Sequence, residues 1–438
     1  MHGRMHKLSR AFRQRLRFPS SVQGCRPRLE ELELRLAPSA DVLTYHNDSF
    51  NSGQYLNETT LTPANVNVAD FGKVFTTPAD GRVYGQPLYL PGVSITTGAS
   101  QGTHNVIYTA TEHNSIYAID ADTGQVLWQD NFNQPSAGVT PVPSSDVGGV
   151  IQPEIGITST PVIDPTTNTL YTCVYTKEVR SGANHYVYRF HAINISNGQE
   201  QFGGPLLVAD TIYDGTNFTF VSGPVVHGTG LGSVGGTVTL NAARQLQRPG
   251  LTLANGTVYV AFGSHNDQEP SHGWILGFNH ADAQNQLQLV AAFNVTPNGK
   301  LGSIWQSGGK IAADSNGFLY AMTGNGTFDT TLDANGFPVQ GDYGDSFIKL
   351  AVDPSSSPTN QNENGWGLKV VDYFTPHNEL ALEAGDIDIG SGAPLLFPDS
   401  AGSTAHPHLL AGGGKAGTYY LIDRDNMGKF NPSTDNIV

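Results

Sequence analysis

Cysteine is nearly absent from this sequence. Two occur in 438 residues, Cys25 and Cys173, which excludes a disulfide framework and a cysteine-built metal cluster. Cys173 lies in the apolar stretch LYTCVY and reads as a core thiol. Charge is sparse too, at 14% of residues. Few windows keep an apolar 3.6-residue period beyond two turns, which argues against helical bundles. No run of about 18 apolar residues occurs, which removes a membrane-spanning helix. The basic N-terminus lacks the roughly 7 to 15-residue apolar segment of a secretory signal peptide. Gly-x-Ser-x-Gly, phosphate-loop and His-Glu-x-x-His patterns are missing, so hydrolase and nucleotide chemistry have no support.

Basic residues are confined to one end. Residues 1–35 hold nine Lys or Arg and three Glu, a net +6, which leaves −21 on the remainder of a chain whose formal charge is −15. An acidic body repels phosphate backbones, so nucleic acid is not an expected partner. Residues 1–40 are expected to form a basic, disordered leader. Residues 41–438 are expected to form one domain.

What the sequence has in quantity is glycine and proline, with 51 and 26 residues, among short alternating runs. These are strand and turn signals, and they predict a nearly all-β chain. A loose repeat starts at GQPLYLPG (Gly85), TSTPVIDP (Thr158), QRPGLTLA (Gln247), QSGGKIAA (Gln306) and SGAPLLFP (Ser391). One unit is complete: HNVIYTATEHNSIYAIDADTGQVLWQ, from His104 to Gln129, holds two alternating strands, the turn Asp122-Thr123-Gly124 and a returning strand with Trp128. Small sheets repeated at a period above 40 residues predict a β-propeller. A β-sandwich is the alternative, although it leaves the repeated order unexplained. Between Ser303 and Asp329, a hairpin over 308–322 ends in Thr323-Gly324-Asn325-Gly326, which offers an amide oxygen from a glycine-flanked backbone.

AIDADTGQVLW resembles the tryptophan-docking motif of quinoprotein propellers, and the order of motifs over roughly residues 80–428 resembles that of pyrroloquinoline quinone (PQQ) dehydrogenases. That resemblance implies an eight-bladed ring, of which five starts are present, so the domain is expected to be incomplete at its C-terminal side. In GGKAGTYYLIDRDNMGKF the family pattern places Lys415 against the quinone oxygens, where a cation stabilises charge gained on reduction. Trp305 takes the place of the tryptophan under the flat cofactor. Asn325 and Glu178 match the ligands of a Ca²⁺ ion acting as Lewis acid. Asp388 matches the base that accepts the alcohol proton, with Asp386 a close rival and Asp342 and Asp345 as further channel residues. Each also has a plainer reading: an exposed Lys in a glycine turn, an interblade Trp, a surface Glu beside Lys177 and Arg180, a turn Asp.

The chain departs from the family in one respect. Many alcohol-oxidising members carry two adjacent cysteines near the cofactor, whereas TATEHNSIY, with Glu112, His113 and Asn114, occupies that region here. His265 and His272 lie on a loop that could line a channel, while His406-Pro407-His408 lacks a third metal ligand. LEELELRLAPSA, Leu29–Ala40, resembles the Leu-Glu-Pro-Arg type leader of exported and surface proteins, with Leu34 where that pattern has Pro. Extracytoplasmic placement follows from that resemblance. Two readings result: a PQQ- and Ca²⁺-dependent dehydrogenase acting on an alcohol or sugar, or a non-catalytic exported propeller that binds a protein or glycan partner.

Overall fold

The computed structural model describes residues 41–438, apart from positions 57, 60, 70 and 150. The leader-like segment and Cys25 lie outside the described residues. The described chain forms five consecutive blades of antiparallel sheet. Blade one comprises Leu88–Ile95, Gly102–Ala110, Ser115–Asp120 and Val126–Asn131. Blade two is built on Val162–Asp164, Thr169–Arg180, Ala183–Asn194 and Leu206–Tyr213, extended outward by Phe218–Ser222. Blade three uses Thr252–Ala254, Thr257–Ser264, Trp274–Asn279 and Gln288–Asn294, and blade four Ala312–Ala313, Leu319–Met322, Phe347–Asp353 and Gly365–Thr375. Blade five has three strands, Leu395–Leu396, Leu409–Gly413 and Tyr419–Asp423. The outermost strands of blades three and four pair with each other, Ala292 opposite Trp366 and Phe293 opposite Gly365. Each repeat start in the sequence leads into the innermost strand of one blade.

Local chemistry explains the turns. In blade one the Asp120 carboxylate accepts hydrogen bonds from the backbone N–H groups of Asp122 and Thr123 and from the Thr123 hydroxyl. Gly124 then adopts φ +76°, and any Cβ there would lie 2.5 Å from the Phe75 ring, so only glycine fits. The returning strand brings Trp128, whose Nε1 donates to the Ile195 carbonyl of blade two at 3.1 Å, beside a Tyr108 hydroxyl bond to the same oxygen at 2.9 Å. Blade one is thereby pinned to blade two.

A blade has two faces to bury, and the apolar clusters accordingly fall in the seams. Leu88, Tyr108, Trp128 and Ile193 fill the first seam, Tyr175, Tyr188, Phe262 and Trp274 the second. Phe293, Ile348 and Tyr373 fill the third, and Tyr320, Phe347, Leu410 and Tyr420 the fourth.

The innermost strands are two or three residues long in blades two to five. They are tied together by the segment preceding blade one. Val42 pairs with Tyr89, the Leu43 carbonyl accepts from Ile163 N, the Ser49 carbonyl from Ala313 N and the Phe50 carbonyl from Leu396 N. The segment thus touches the inner edges of blades one, two, four and five. Asn51, buried, completes the stitch: its amide nitrogen donates to the Lys310 carbonyl at 2.8 Å and the Pro394 carbonyl at 2.9 Å. The Lys310 side chain is itself buried, its Nζ has no partner among the described residues, and burial pushes its pKa down to about 7.

Two outcomes are expected. Asn51→Ala leaves two buried carbonyls without their donor and should lower unfolding stability by about 1 to 3 kcal/mol in a denaturant titration. Lys310→Met should raise stability. The native amine releases its proton near pH 7, whereas an unfolded lysine keeps it to about 10.4, so the parent recovers stability as pH rises between those values. The variant's advantage in melting temperature should therefore be largest at or below pH 7 and shrink above it.

Candidate functional site

The second strand of each blade ends on the same rim of the ring, where the first strand of the next blade begins, and polar contacts close that rim. Glu112, after the second strand of blade one, accepts from Gly156 N at 2.7 Å and the Thr158 hydroxyl at 3.1 Å, just before blade two. The Ser159 hydroxyl donates to Gln247 Oε1 at 2.5 Å, joining the entries of blades two and three. A Cβ on Gly263, at the end of blade three's second strand, would lie 3.1 Å from Trp305 Cε3 at the entry of blade four. Asn325, beyond blade four's second strand, donates its backbone N–H to Asp388 Oδ1 at 2.7 Å, at the entry of blade five.

Four of the five residues singled out in the sequence meet at this last junction. Gly324 separates Trp305 from Asp388, since a Cβ there would lie 2.5 Å from Asp388 Oδ1 and 3.1 Å from Trp305 Cδ1. Lys415 follows the second strand of blade five. Its Nζ lies 2.5 Å from Asp388 Oδ2 and 3.0 Å from Asp386 Oδ1, and its backbone N–H donates to the Asp388 carbonyl at 2.9 Å. Gly414 permits that approach, because a Cβ would lie 2.2 Å from the same carbonyl. Burial pushes the Lys415 pKa down, but hydrogen bonds and charge from Asp388 and Asp386 more than offset it, so the net direction is upward. Trp305 is half-buried, and Asn325 is buried with its Oδ1 lacking any partner among the described residues.

Glu178 is not brought to this junction. It lies on the long second strand of blade two, paired with Val139 and His185. Its carboxylate meets Arg189 and, at 3.4 Å, Arg180 Nε. Burial raises its pKa, but these two guanidinium groups and the Thr176 hydroxyl pull it below the ordinary value. Among the described residues it makes no hydrogen bond or ion pair with Asn325, Asp388, Trp305 or Lys415. The physical reason is strand length: pairing continues to Arg180, so Glu178 is held inside the sheet and not in a rim loop.

Other carboxyls occupy the rim. Asp345 is fully buried, sits at a left-handed φ of +43°, donates its N–H to the Gly324 carbonyl at 2.9 Å and accepts from Ile389 N at 3.0 Å through Oδ1. Its Oδ2 has no partner among the described residues, and burial raises its pKa to about 7. Glu112 likewise has an unpartnered Oε1 and a pKa raised to about 7 by burial. Asp342 instead caps the Asn298 and Gly299 N–H groups at 3.0 and 3.1 Å. Glu379 was given no role by the sequence, yet it is buried with both oxygens unpartnered. His265 is buried beside Tyr175, with both ring nitrogens unpartnered. His272 does not line an opening, as its ring bonds Thr296 and the Leu231 carbonyl. His406 and His408 each pair with an aspartate, Asp423 and Asp425.

Oxygen atoms dominate the donor set near Asn325, which suits a hard cation more than zinc. Among the described residues no three His, Cys, Asp or Glu side chains form a metal-binding cluster. Of the side-chain oxygens here, Asn325 Oδ1 and Asp345 Oδ2 have no partner among the described residues, whereas both Asp388 oxygens are engaged.

The radial sheets and this rim define a β-propeller of the quinoprotein type. The chain is similar in structure to a quinohemoprotein alcohol dehydrogenase of Pseudomonas putida HK5, with a TM-score of 0.51 and 14% identity over 89% of this chain and 47% of that one. It is similar to a second, from Comamonas testosteroni, with a TM-score of 0.51 and 14% identity over 89% of this chain and 48% of that one. The chain therefore spans about half the length of these structures. No protein-family model matches it, and no curated protein matches its sequence. Among the described residues no helix is long and apolar enough to cross a membrane.

The Asp345 carboxyl yields a signed prediction. Its native pKa of about 7 exceeds the unfolded value of about 3.9, so the native state binds more protons in that window and stability falls as pH rises through it. Asp345→Asn should remove this dependence. Its melting temperature relative to the parent should climb from pH 4 to pH 7 and then level off.

Proposed function

We propose that this chain binds a PQQ-type quinone above Trp305 and a hard cation such as Ca²⁺ at Asn325, and oxidises a small alcohol or sugar. The observation that carries this reading is the convergence of Trp305, Asn325, Asp388 and Lys415 from two adjacent blades, with the Asn325 Oδ1 left over as a buried oxygen ligand. When bound, the quinone would supply the two-electron oxidant. The protein's share is positional. Trp305 offers a flat face, and Lys415, whose pKa is shifted upward, keeps a positive charge where electron density would grow. Asp388 uses one lone pair of each oxygen on Asn325 N and Lys415 Nζ, which leaves capacity to accept a hydroxyl proton. An extracytoplasmic setting, in keeping with the leader-like sequence, belongs to the same reading.

A second reading has its own support. Asp388 and Lys415 satisfy each other, and the carboxylate expected from Glu178 is held elsewhere by two arginines. A propeller that kept the frame and binds a protein or glycan partner would look the same at these points.

Titration of the protein with PQQ and CaCl₂, read by absorbance and melting temperature, separates the two. Saturation at 100 times Kd adds about 2.7 kcal/mol of stability. The dehydrogenase reading expects a shift that requires Ca²⁺ and is lost in Asn325→Ala. No shift with the parent protein, shown to be folded, would leave the non-catalytic reading standing.

A further inference from the structure

The seam between blades one and two is apolar around Leu170 and Ile193, but further along the same face of blade two the side chains turn polar. On its second strand Thr172, Val174, Thr176 and Glu178 point to this side, while Cys173 and Tyr175 point into the apolar seam with blade three. On its third strand Arg189 and His191 share that polar side. Together with Asp130 and Phe132 of blade one, and Glu200, they line a cavity of about 400 Å³.

The lining is rich in acceptors. Glu178 is neutralised by Arg189. Glu200 takes the Nδ1 side of the His191 ring, leaving Nε2 without a partner although the residue is 4% exposed. The Thr172 hydroxyl, fully buried on the same face, is unpartnered as well. Among the described residues Asp130 makes no ion pair with Lys or Arg, and burial raises its pKa, with His191 lowering it and Glu200 adding to the rise. The Phe132 ring packs on His191 with centroids 4.3 Å apart. Beside the Glu178–Arg189 pair, the Asp130 carboxylate and the Glu200–His191 pair remain around one opening. The buried His191 Nε2 and Thr172 hydroxyl cost free energy while they lack partners.

We propose that this groove binds a small molecule through a protonated amine, with Asp130 and Glu200 as its counter-charges and Phe132 as an aromatic wall. An ammonium group brings three donors and one positive charge, which answers both the surplus of acceptors and the surplus of negative charge. Phe132 adds a favourable face for the cation. A neutral sugar would satisfy hydrogen bonds but leave the charge uncompensated. The site is separate from the rim at Trp305 and stands whether or not the quinone reading holds.

Saturation-transfer NMR and calorimetry on the full chain test this with n-butylammonium, glucosamine and glucose at pH 7. Both amines should bind and glucose should not, and binding should weaken as salt is raised. Asp130→Asn and Glu200→Gln should each weaken amine binding at least about tenfold, the effect of losing a hydrogen bond to a charged group. Asp130 and Glu200 are partly exposed, so both variants should fold, and either alone decides the matter if the other does not. Absence of amine binding, equal binding of glucose and glucosamine, or amine binding untouched by both variants would overturn the proposal.

Discussion

The inner edges of the blades are too short to hold themselves together, and the rest of the architecture answers to that constraint. A strand of two residues such as Ala312–Ala313 makes too few ladder hydrogen bonds to fix its own register. The missing order is supplied by polar bonds between blades and by the preceding segment, which lays its carbonyls along Ile163, Ala313 and Leu396 in turn. Each such bond alone contributes on the order of 1 kcal/mol. Collectively they convert five marginal sheets into one unit, because an error in one blade misaligns the donors of its neighbour.

The same constraint concentrates unusual polar groups at the centre. Apolar side chains fill the seams between blades, but the inner edges converge too closely for large ones, so backbone, glycine and small polar residues crowd there. Gly324 and Gly390 each bring backbone within reach of another blade's backbone or carboxylate, and Gly414 does the same for the entry of its own blade. Groups that cannot find partners in such a space remain as Asn325 Oδ1, Asp345 Oδ2, Glu112 Oε1 and Lys310 Nζ. Burial shifts the ionisable ones toward neutrality at pH 7. Candidate chemistry therefore sits on the rim for a geometric reason that precedes any particular reaction.

Much of this was legible because repeats announce themselves. The five starts lead into the five inner strands, and Trp128 locks blade one to blade two as the docking motif implied. Less legible was where a strand stops. Counting five residues past the strand tyrosine gives Ser264 after Tyr259 and Asn325 after Tyr320, and the same count from Tyr171 gives Thr176, two residues short of Glu178. That internal alignment carried the signal, but the polar run Thr176-Lys177-Glu178 looks like a loop unless its hairpin at Ser181-Gly182 is weighed. Both turn residues have positive φ, which allows pairing to run unbroken from Thr169 to Arg180. Asp345 and Glu379 were harder, because their burial depends on contacts between segments distant in sequence.

Both polar regions carry an excess of acid. At the rim, Lys415 is the cation set between Asp386 and Asp388, with a net excess of acid that a bound metal ion would balance. Between blades one and two, Arg189 is committed to Glu178, and Asp130 and the His191-bonded Glu200 line the opening. An acidic body raises the local concentration of cations around both. The difference lies in geometry. At the rim, side-chain oxygens of Asn325, Asp345 and Asp388 come from backbone turns joined by hydrogen bonds, whereas the groove spreads its carboxylates around a cavity with an aromatic side. The two regions draw on different blades, with Asn325 and Asp388 at the blade four to blade five junction and Asp130 and Glu200 beside blades one and two, so evolution or engineering could alter one while leaving the other's supporting contacts in place.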